Sequence, residues 1–208
     1  MRNLSDLPSM NLSSQLSRIG FVLAGGKSSR MGADKAFLEF QGQTLLERAL
    51  TVLGHVCPRV AIVGDCNRFS TFGSVVEDVY AGCGPLAGIH AALATSPAEL
   101  NLMLAVDMPF VSADLLSYLF SAAEQSGAVV TVPRTGKGFQ PLCAVYRREF
   151  ASVAAGALKA KKYKIDRLFE CLAIRIIEEA ELKKAGFSEQ DFFNINTPGD
   201  RRTAEDSF

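Results

Sequence analysis

The chain of 208 residues has no excess of either charge, with Lys+Arg 22 balanced by Asp+Glu 22. A nucleic-acid binder shows a basic stripe or surplus, so that class is disfavoured. An anionic ligand would have to be held by a local site and not by the field of the whole molecule. No apolar run approaches the roughly 18 residues that a membrane-spanning helix needs. The stretch from Met1 to Arg18 is polar and lacks the apolar centre of a secretory signal. Cysteine is present but unpatterned. Cys57, Cys66, Cys83, Cys143 and Cys171 are odd in number and form no CxxC pair. That speaks against a zinc site or a disulfide framework and for thiols in a reducing cytoplasm. Histidine is scarce, and His55 and His90 stand far apart, so both read as structural. Against these absences, 48% hydrophobic and 21% charged residues describe an ordinary globular protein, long enough to bury a real core.

Residues 1–17 read as a flexible leader, because Ser, Asn and Pro interrupt any periodicity. Order begins with the nearly continuous apolar run Ile19 to Ala24, which suits a strand buried on both faces of a parallel sheet. Thr44 to Leu53 shows helical spacing, with Thr44 placed to act as N-cap. Val60 to Val63 and Val75-Val76 follow as strands. Leu86 to Ala94 is expected as a helix entered through Gly84-Pro85. Leu102 to Val106, Ala128 to Val132, Pro141 to Tyr146 and Ala173 to Ile177 read as further strands. Helices are expected near Ala113 to Gln125, near Glu149 to Leu158 and after Pro198. The alternation predicts an α/β fold, a doubly wound, mostly parallel sheet flanked by helices, as a single domain over residues 18–208. Such sheets bind ligands beyond the carboxyl ends of their strands, so the residues after Ala24, Val63, Val76 and Val106 are the ones to inspect.

The first of these segments is Leu23-Ala24-Gly25-Gly26-Lys27-Ser28-Ser29-Arg30-Met31-Gly32-Ala33-Asp34-Lys35. Adjacent glycines let backbone N–H groups approach phosphate oxygens with no Cβ in the way. Arg30 and Lys35 can neutralise a triphosphate. An ordinary strand-to-helix turn would explain the glycines alone but not the glycines together with this basic pair. The loop is not a Walker A motif, because Phe21 occupies the place of its first glycine, and GxGxxG is also absent.

The run from Leu23 to Lys35 resembles the signature loop of the pyrophosphorylase-type nucleotidyltransferases. Its LAGG form followed by SxRMG and DK is similar to the molybdenum cofactor guanylyltransferases, whereas cytidylyltransferases of that superfamily more often carry LAAG. The likeness continues through Leu45-Leu46-Glu47-Arg48, Glu77-Asp78, Gly84-Pro85-Leu86-Ala87-Gly88, Asp107-Met108-Pro109-Phe110, Gln140 to Tyr146 and Asn194-Ile195-Asn196-Thr197-Pro198. It implies a nucleotide-diphospho-sugar transferase fold, Rossmann-like in its sheet. The implied reaction moves GMP from GTP to the phosphate of molybdopterin, with Mg²⁺ as cofactor. It also implies cytoplasmic partner proteins from cofactor biosynthesis and molybdoenzyme maturation.

Each expected role has a physical ground. Nucleotidyl transfer brings two anions together, so the site must cancel charge and align the groups. Asp107, after a buried strand, offers a hard oxygen to Mg²⁺; a loop or N-cap aspartate is the plainer reading. Lys35 is expected to hold the triphosphate and stabilise the transition state, with a solvated lysine as its alternative. Arg30 either touches phosphate or braces the loop. Leu23, Ala24, Gly25, Gly26, Asp78 and Gly84 are expected to contact the nucleotide; for Asp78, turn capping is the competing role. After the second strand the family's asparagine is replaced by Gly64-Asp65-Cys66-Asn67, so either Asp65 or Asn67 takes that place. Asn194 and Asn196 are expected to bind the acceptor phosphate or support the metal, or else to bond within the turn before Pro198. Phe139, Phe192 and Phe193 read first as core, and Lys159, Lys161, Lys162 and Lys164 as a solvated surface. Two other functions stay open on the residues: a cytidylyltransferase of the same fold, and a non-catalytic GTP-binding module. Gly25-Gly26 disfavours the first; the set of Arg30, Lys35 and Asp107 disfavours the second.

Overall fold

A computed structural model of the chain describes residues 18–25, 35–80 and 82–207. The expected leader, and Gly26 and Arg30 of the signature loop, lie outside the described residues. The first apolar run forms strand β1 (Arg18–Leu23). A short hairpin follows, β2 (Glu39–Phe40) and β3 (Gln43–Thr44), and then helix α1 (Leu45–Gly54). Thr44 and Glu47 close a capping box at its start, so the expected N-cap is the observed one. The chain continues through β4 (Val60–Val63), α2 (Cys66–Phe69), β5 (Ser74–Val76), α3 (Pro85–Thr95) and β6 (Leu100–Ala105). Next come α4 (Ala113–Ser126), β7 (Val130–Thr135), β8 (Gly138–Phe139) and β9 (Cys143–Arg147). The last elements are α5 (Phe150–Lys159), α6 (Ile165–Leu168), β10 (Ile174–Glu178), α7 (Glu179–Lys184) and α8 (Pro198–Ser207).

Among the described residues the strands form an eight-stranded sheet ordered β10-β7-β9-β6-β1-β4-β5, with β8 on β7. β4 and β6 run parallel to β1, and β5 parallel to β4. β9 lies antiparallel between β6 and β7, which makes the sheet mixed but mostly parallel. Three expected strands begin later than their apolar runs, at Val130, Cys143 and Ile174 in place of Ala128, Pro141 and Ala173. Pro141 and Leu142 belong to the turn into β9, where Cys143 N–H donates to the Gln140 carbonyl. β7 runs on past Val132 through Pro133, whose carbonyl accepts from Gln140 N–H.

The sheet buries both faces. Leu102 and Leu104 of β6 join Val22, Ile62 and the inner sides of α1 and α4 in one core. Met103 joins Phe21, Val63, α3 and α5 in the other. All six residues of β6 are buried, which is why the run is apolar without alternation. Its one polar residue, Asn101, is satisfied by Ser96 and by the carbonyls of Ala98 and Tyr146. Each fully buried aliphatic side chain contributes about 1.5–3 kcal/mol, and together they hold the strand ends in fixed relation.

The cysteines divide by burial, and none is paired. Burial pushes the thiols of Cys57 and Cys143 up to about 12, whereas Cys66 and Cys171 are exposed. Thiolate is the reactive form. An alkylating reagent at pH 8 should therefore modify Cys66 and Cys171 first, and Cys57 and Cys143 only after unfolding. Mass spectrometry of a labelling time course checks this; equal rates at Cys57 and Cys66 would contradict the packing of α1 on β1.

Candidate active site

The order β5-β4-β1-β6 arises because the chain winds outward from β1 through β4 and β5, then returns to place β6 on the other flank of β1. The reversal lies between β1 and β6, and the crevice beyond their carboxyl ends is where such sheets bind ligands. Main-chain pairing continues past the strands: Ala24 N–H donates to the Val63 carbonyl at 3.0 Å, and Val106 N–H to the Leu23 carbonyl at 3.2 Å. Ala24-Gly25 and Asp107 are thereby brought to one rim. Among the described residues a Cβ on Gly25 would meet Val63 O at 3.7 Å and Gly64 Cα at 3.9 Å, ordinary contacts. Gly64 differs: a Cβ there would lie 2.7 Å from the Phe69 ring, so this turn after β4 closes only with glycine.

Helix α3 leans on the same strand ends, since a Cβ on Gly88 would sit 3.3 Å from Val63 and 3.6 Å from Leu23. Its N-cap, Gly84, has φ 75°, a left-handed conformation open to glycine, and Pro85 fixes the first helical turn. The start of α3 carries N–H groups without helical partners.

Lys35 begins a 3-10 turn (Lys35–Phe37) anchored by the fully buried Ala36. Its ammonium Nζ lies 3.2 Å from Asp107 Oδ2 and 2.5 Å from Asn196 Oδ1. The Lys35 and Asp107 side chains retain 23% and 15% exposure, so the pair is mostly withdrawn from water yet reachable from the crevice. Asn196 arrives by an independent route. Ile195 is fully buried, and its N–H donates to the Asp107 carbonyl at 2.9 Å, which fastens the C-terminal segment to the end of β6. Arg48 braces the other side of that loop by donating to the Pro109 carbonyl at 3.3 Å.

The structure thus brings Lys35, Asp107 and Asn196 together at the strand ends, with Gly25 following the end of β1 beside them. Asn194 is half-buried beside Ile195. Asp65 and Asp78 are engaged locally. Asp65 caps α2 by accepting from Asn67 N–H at 2.8 Å, and Asp78 Oδ1 accepts from Tyr80 N–H at 2.7 Å, the turn-capping contact weighed as its alternative. Phe192 is buried, Phe139 packs edge-on against Phe169 and Phe193 against Phe110, so all three serve packing. Lys159, Lys161, Lys162 and Lys164 are exposed. One residue at the site escaped the sequence reading. Asp200 accepts from both Asn196 N–H and Thr197 N–H, and the spacing Thr197-x-x-Asp200 is a capping-box signal that could have pointed to it.

Among the described residues no group of three or more His, Cys, Asp or Glu side chains could hold a metal, and no helix is long and apolar enough to cross a membrane. The Asp107 carboxylate beside the crevice nevertheless fits Mg²⁺. That ion dehydrates reluctantly and commonly binds through one or two carboxylates plus substrate phosphates.

A mostly parallel sheet with an ammonium and a carboxylate converging at its switch point is the arrangement of an enzyme that handles nucleotide phosphates. Residues 20–175 match the family described as the MobA-like NTP transferase domain, and the chain belongs to that family of nucleotidyltransferases. A protein of Pelotomaculum thermopropionicum, described as a probable molybdenum cofactor guanylyltransferase, is 38% identical over 187 residues, covering 89% of this chain and 90% of its own. One of Halalkalibacterium halodurans with the same description is 34% identical over 195 residues, covering 89% and 96%. Among solved structures, the molybdopterin-guanine dinucleotide biosynthesis protein A of Archaeoglobus fulgidus superposes with a TM-score of 0.80. It is 29% identical and covers 91% of this chain and 97% of its own. Enzymes of this kind generally use a divalent metal.

Proposed function

We propose that the chain is a molybdenum cofactor guanylyltransferase, transferring GMP from GTP to the terminal phosphate of molybdopterin, with residues 18–208 acting as one domain. The observation that carries this reading is the convergence of Lys35, Asp107 and Asn196 beside Gly25 at the switch point of the sheet, in a chain whose relatives bear that description. An oxygen of the acceptor phosphate forms a bond to the α-phosphorus of GTP, and the bond from that phosphorus to the bridging oxygen breaks, releasing pyrophosphate. Lys35 places a compact positive charge against the phosphates and offsets charge as it develops in the transition state. Asp107 would hold Mg²⁺, which would supply positive charge to offset that of the phosphates, while Asn196 holds Lys35. Gly25 and Gly26 are assigned to the phosphates through their backbone N–H groups, with Arg30 as a further cation. Gly84 is assigned to the nucleoside, with Asp78 offering its remaining oxygen to the guanine edge or ribose. Asn194 is assigned to the acceptor. Unpaired thiols suit the reducing cytoplasm, where partner proteins of cofactor biosynthesis and molybdoenzyme maturation would supply the acceptor and take the product.

Release of pyrophosphate from GTP, Mg²⁺ and molybdopterin, with none from GTP alone, is the direct test. The same assay should show kcat/KM for GTP well above that for CTP or ATP. A site whose hydrogen-bonding groups are left unpaired by the wrong base discriminates by a factor on the order of 10⁴ at best. Asp78→Asn keeps an oxygen for Tyr80 N–H and should reduce the preference without disturbing the turn. Equal use of GTP and CTP by the unaltered protein would overturn the assignment.

A further inference from the structure

Lys35 has a long flexible stem, and rotamer entropy opposes any single placement of its ammonium. It is held from two sides, by Asp107 Oδ2 at 3.2 Å and by Asn196 Oδ1 at 2.5 Å. The two holds are not equivalent once the site is at work. A cation bound with the nucleotide draws on the Asp107 carboxylate and weakens its attraction for Lys35. Asn196 is neutral and keeps its grip, so its position sets where the ammonium stands.

Asn196 is itself exposed, and what fixes it is the main chain on either side. On one side Ile195 is buried and bonded to the Asp107 carbonyl. On the other, Asp200 Oδ2 accepts from Asn196 N–H at 2.9 Å and from Thr197 N–H at 2.8 Å, while Asp200 N–H donates to Thr197 Oγ1 at 3.1 Å. The reciprocal bonds between Thr197 and Asp200 are a capping box that starts α8. The bond from Asn196 N–H lies outside that box and does nothing for the helix. We infer that Asp200 is a positioning residue for the transfer, locking the Asn196 main chain so that its amide oxygen holds the Lys35 ammonium against the phosphates. The inference rests on the function proposed above. The main-chain N–H groups of Asn196 and Thr197 hold the Asp200 carboxyl below the usual aspartate range, with Lys35 adding to the effect. A charged acceptor shortens and strengthens these bonds, although any acceptor oxygen at that place can make them.

The test separates the lock from the cap. Full-length Asp200→Ala, Asp200→Asn, Thr197→Val, Asn196→Ala, Lys35→Ala and the double variant Asp200→Ala/Asn196→Ala are compared by kcat and KM for GTP, alongside melting temperature. Asp200→Ala should lower kcat by about 10-fold or more while KM for GTP changes less, as expected for a small displacement of a catalytic group. Thr197→Val breaks the cap but spares the bond from Asn196 N–H, so it should lower the melting temperature with kcat within about twofold of the parent. Asp200→Asn retains an acceptor oxygen and should recover most of the rate; it also serves if Asp200→Ala folds poorly. The double variant should be no slower than Asn196→Ala alone, because the two residues act in series. Equal rate losses in Asp200→Ala and Thr197→Val, or losses that multiply in the double variant, would overturn the inference and leave the proposed function standing. Wild-type rates in both Asn196→Ala and Lys35→Ala would also overturn it, whereas absence of pyrophosphate release in the unaltered protein would overturn the function on which it rests.

Discussion

Asp107→Ala should lose most turnover, a fall in kcat of about 10²–10³ or more, while circular dichroism and the thermal transition stay close to those of the parent protein. The fold should survive because Asp107 is joined to the structure through its main chain. Its carbonyl accepts from Ile195 N–H, and both Val106 and Met108 are bonded through backbone N–H groups, none of which needs the carboxylate. What disappears is the carboxylate beside Lys35 that is assigned to a cation arriving with GTP. Raising Mg²⁺ should recover little of the rate, since the missing group is a ligand and not an affinity shared among several. Binding of Mn²⁺ in the presence of GTP gives an independent readout and should weaken in parallel. Near-normal kcat in Asp107→Ala would place the chemistry elsewhere in the molecule.

Lys35→Ala should behave differently in detail. If Lys35 acts on charge that develops during transfer, kcat should fall by more than KM for GTP rises. One preorganised contact of that kind is worth roughly 3–4 kcal/mol, or about 10²–10³ in rate. Lys35→Arg should rescue only in part. The ammonium stands between a carboxylate oxygen and an amide oxygen at 3.2 and 2.5 Å, and a planar guanidinium cannot satisfy both in the space of one nitrogen. Steady-state kinetics at saturating Mg²⁺ decides it. A rise in KM with kcat unchanged would reduce Lys35 to a ground-state phosphate contact.

Local features of the fold were readable from residues close in sequence. The capping box of Thr44 and Glu47 and the entry of α3 through Gly84-Pro85 each involve contacts within a turn, so short motifs specify them. The apolar runs of β1, β4 and β6 follow from burial on both faces, which any parallel strand in such a sheet must have. Strand ends were read less well. The apolar character of Pro141 and Leu142 reflects packing under a turn and not pairing in a ladder. The β2–β3 hairpin passed unnoticed, although Gln41 and Gly42 both take positive φ at its turn, because strands of two residues leave no period to detect.

The candidate site divides the same way. The order of motifs along the chain was enough to single out Lys35, Asp107 and Asn196 as chemistry-bearing residues, since their types suit phosphate and metal wherever they meet. That they meet is a property of the sheet. Lys35 and Asp107 are 72 residues apart and Lys35 and Asn196 161 apart, and they converge because β6 returns to the flank of β1 and the buried Ile195 ties the C-terminal segment to the end of β6. No local pattern encodes that return; it is chosen by which faces of the strands and helices bury each other best. Asp65, Asp78 and Asp200 are the opposite case, since each carboxylate accepts from a backbone N–H within four residues, a contact set by local sequence. Residue chemistry is carried by the sequence, while distance and orientation come from long-range packing, where hydrophobic burial over the whole sheet outweighs any single polar contact.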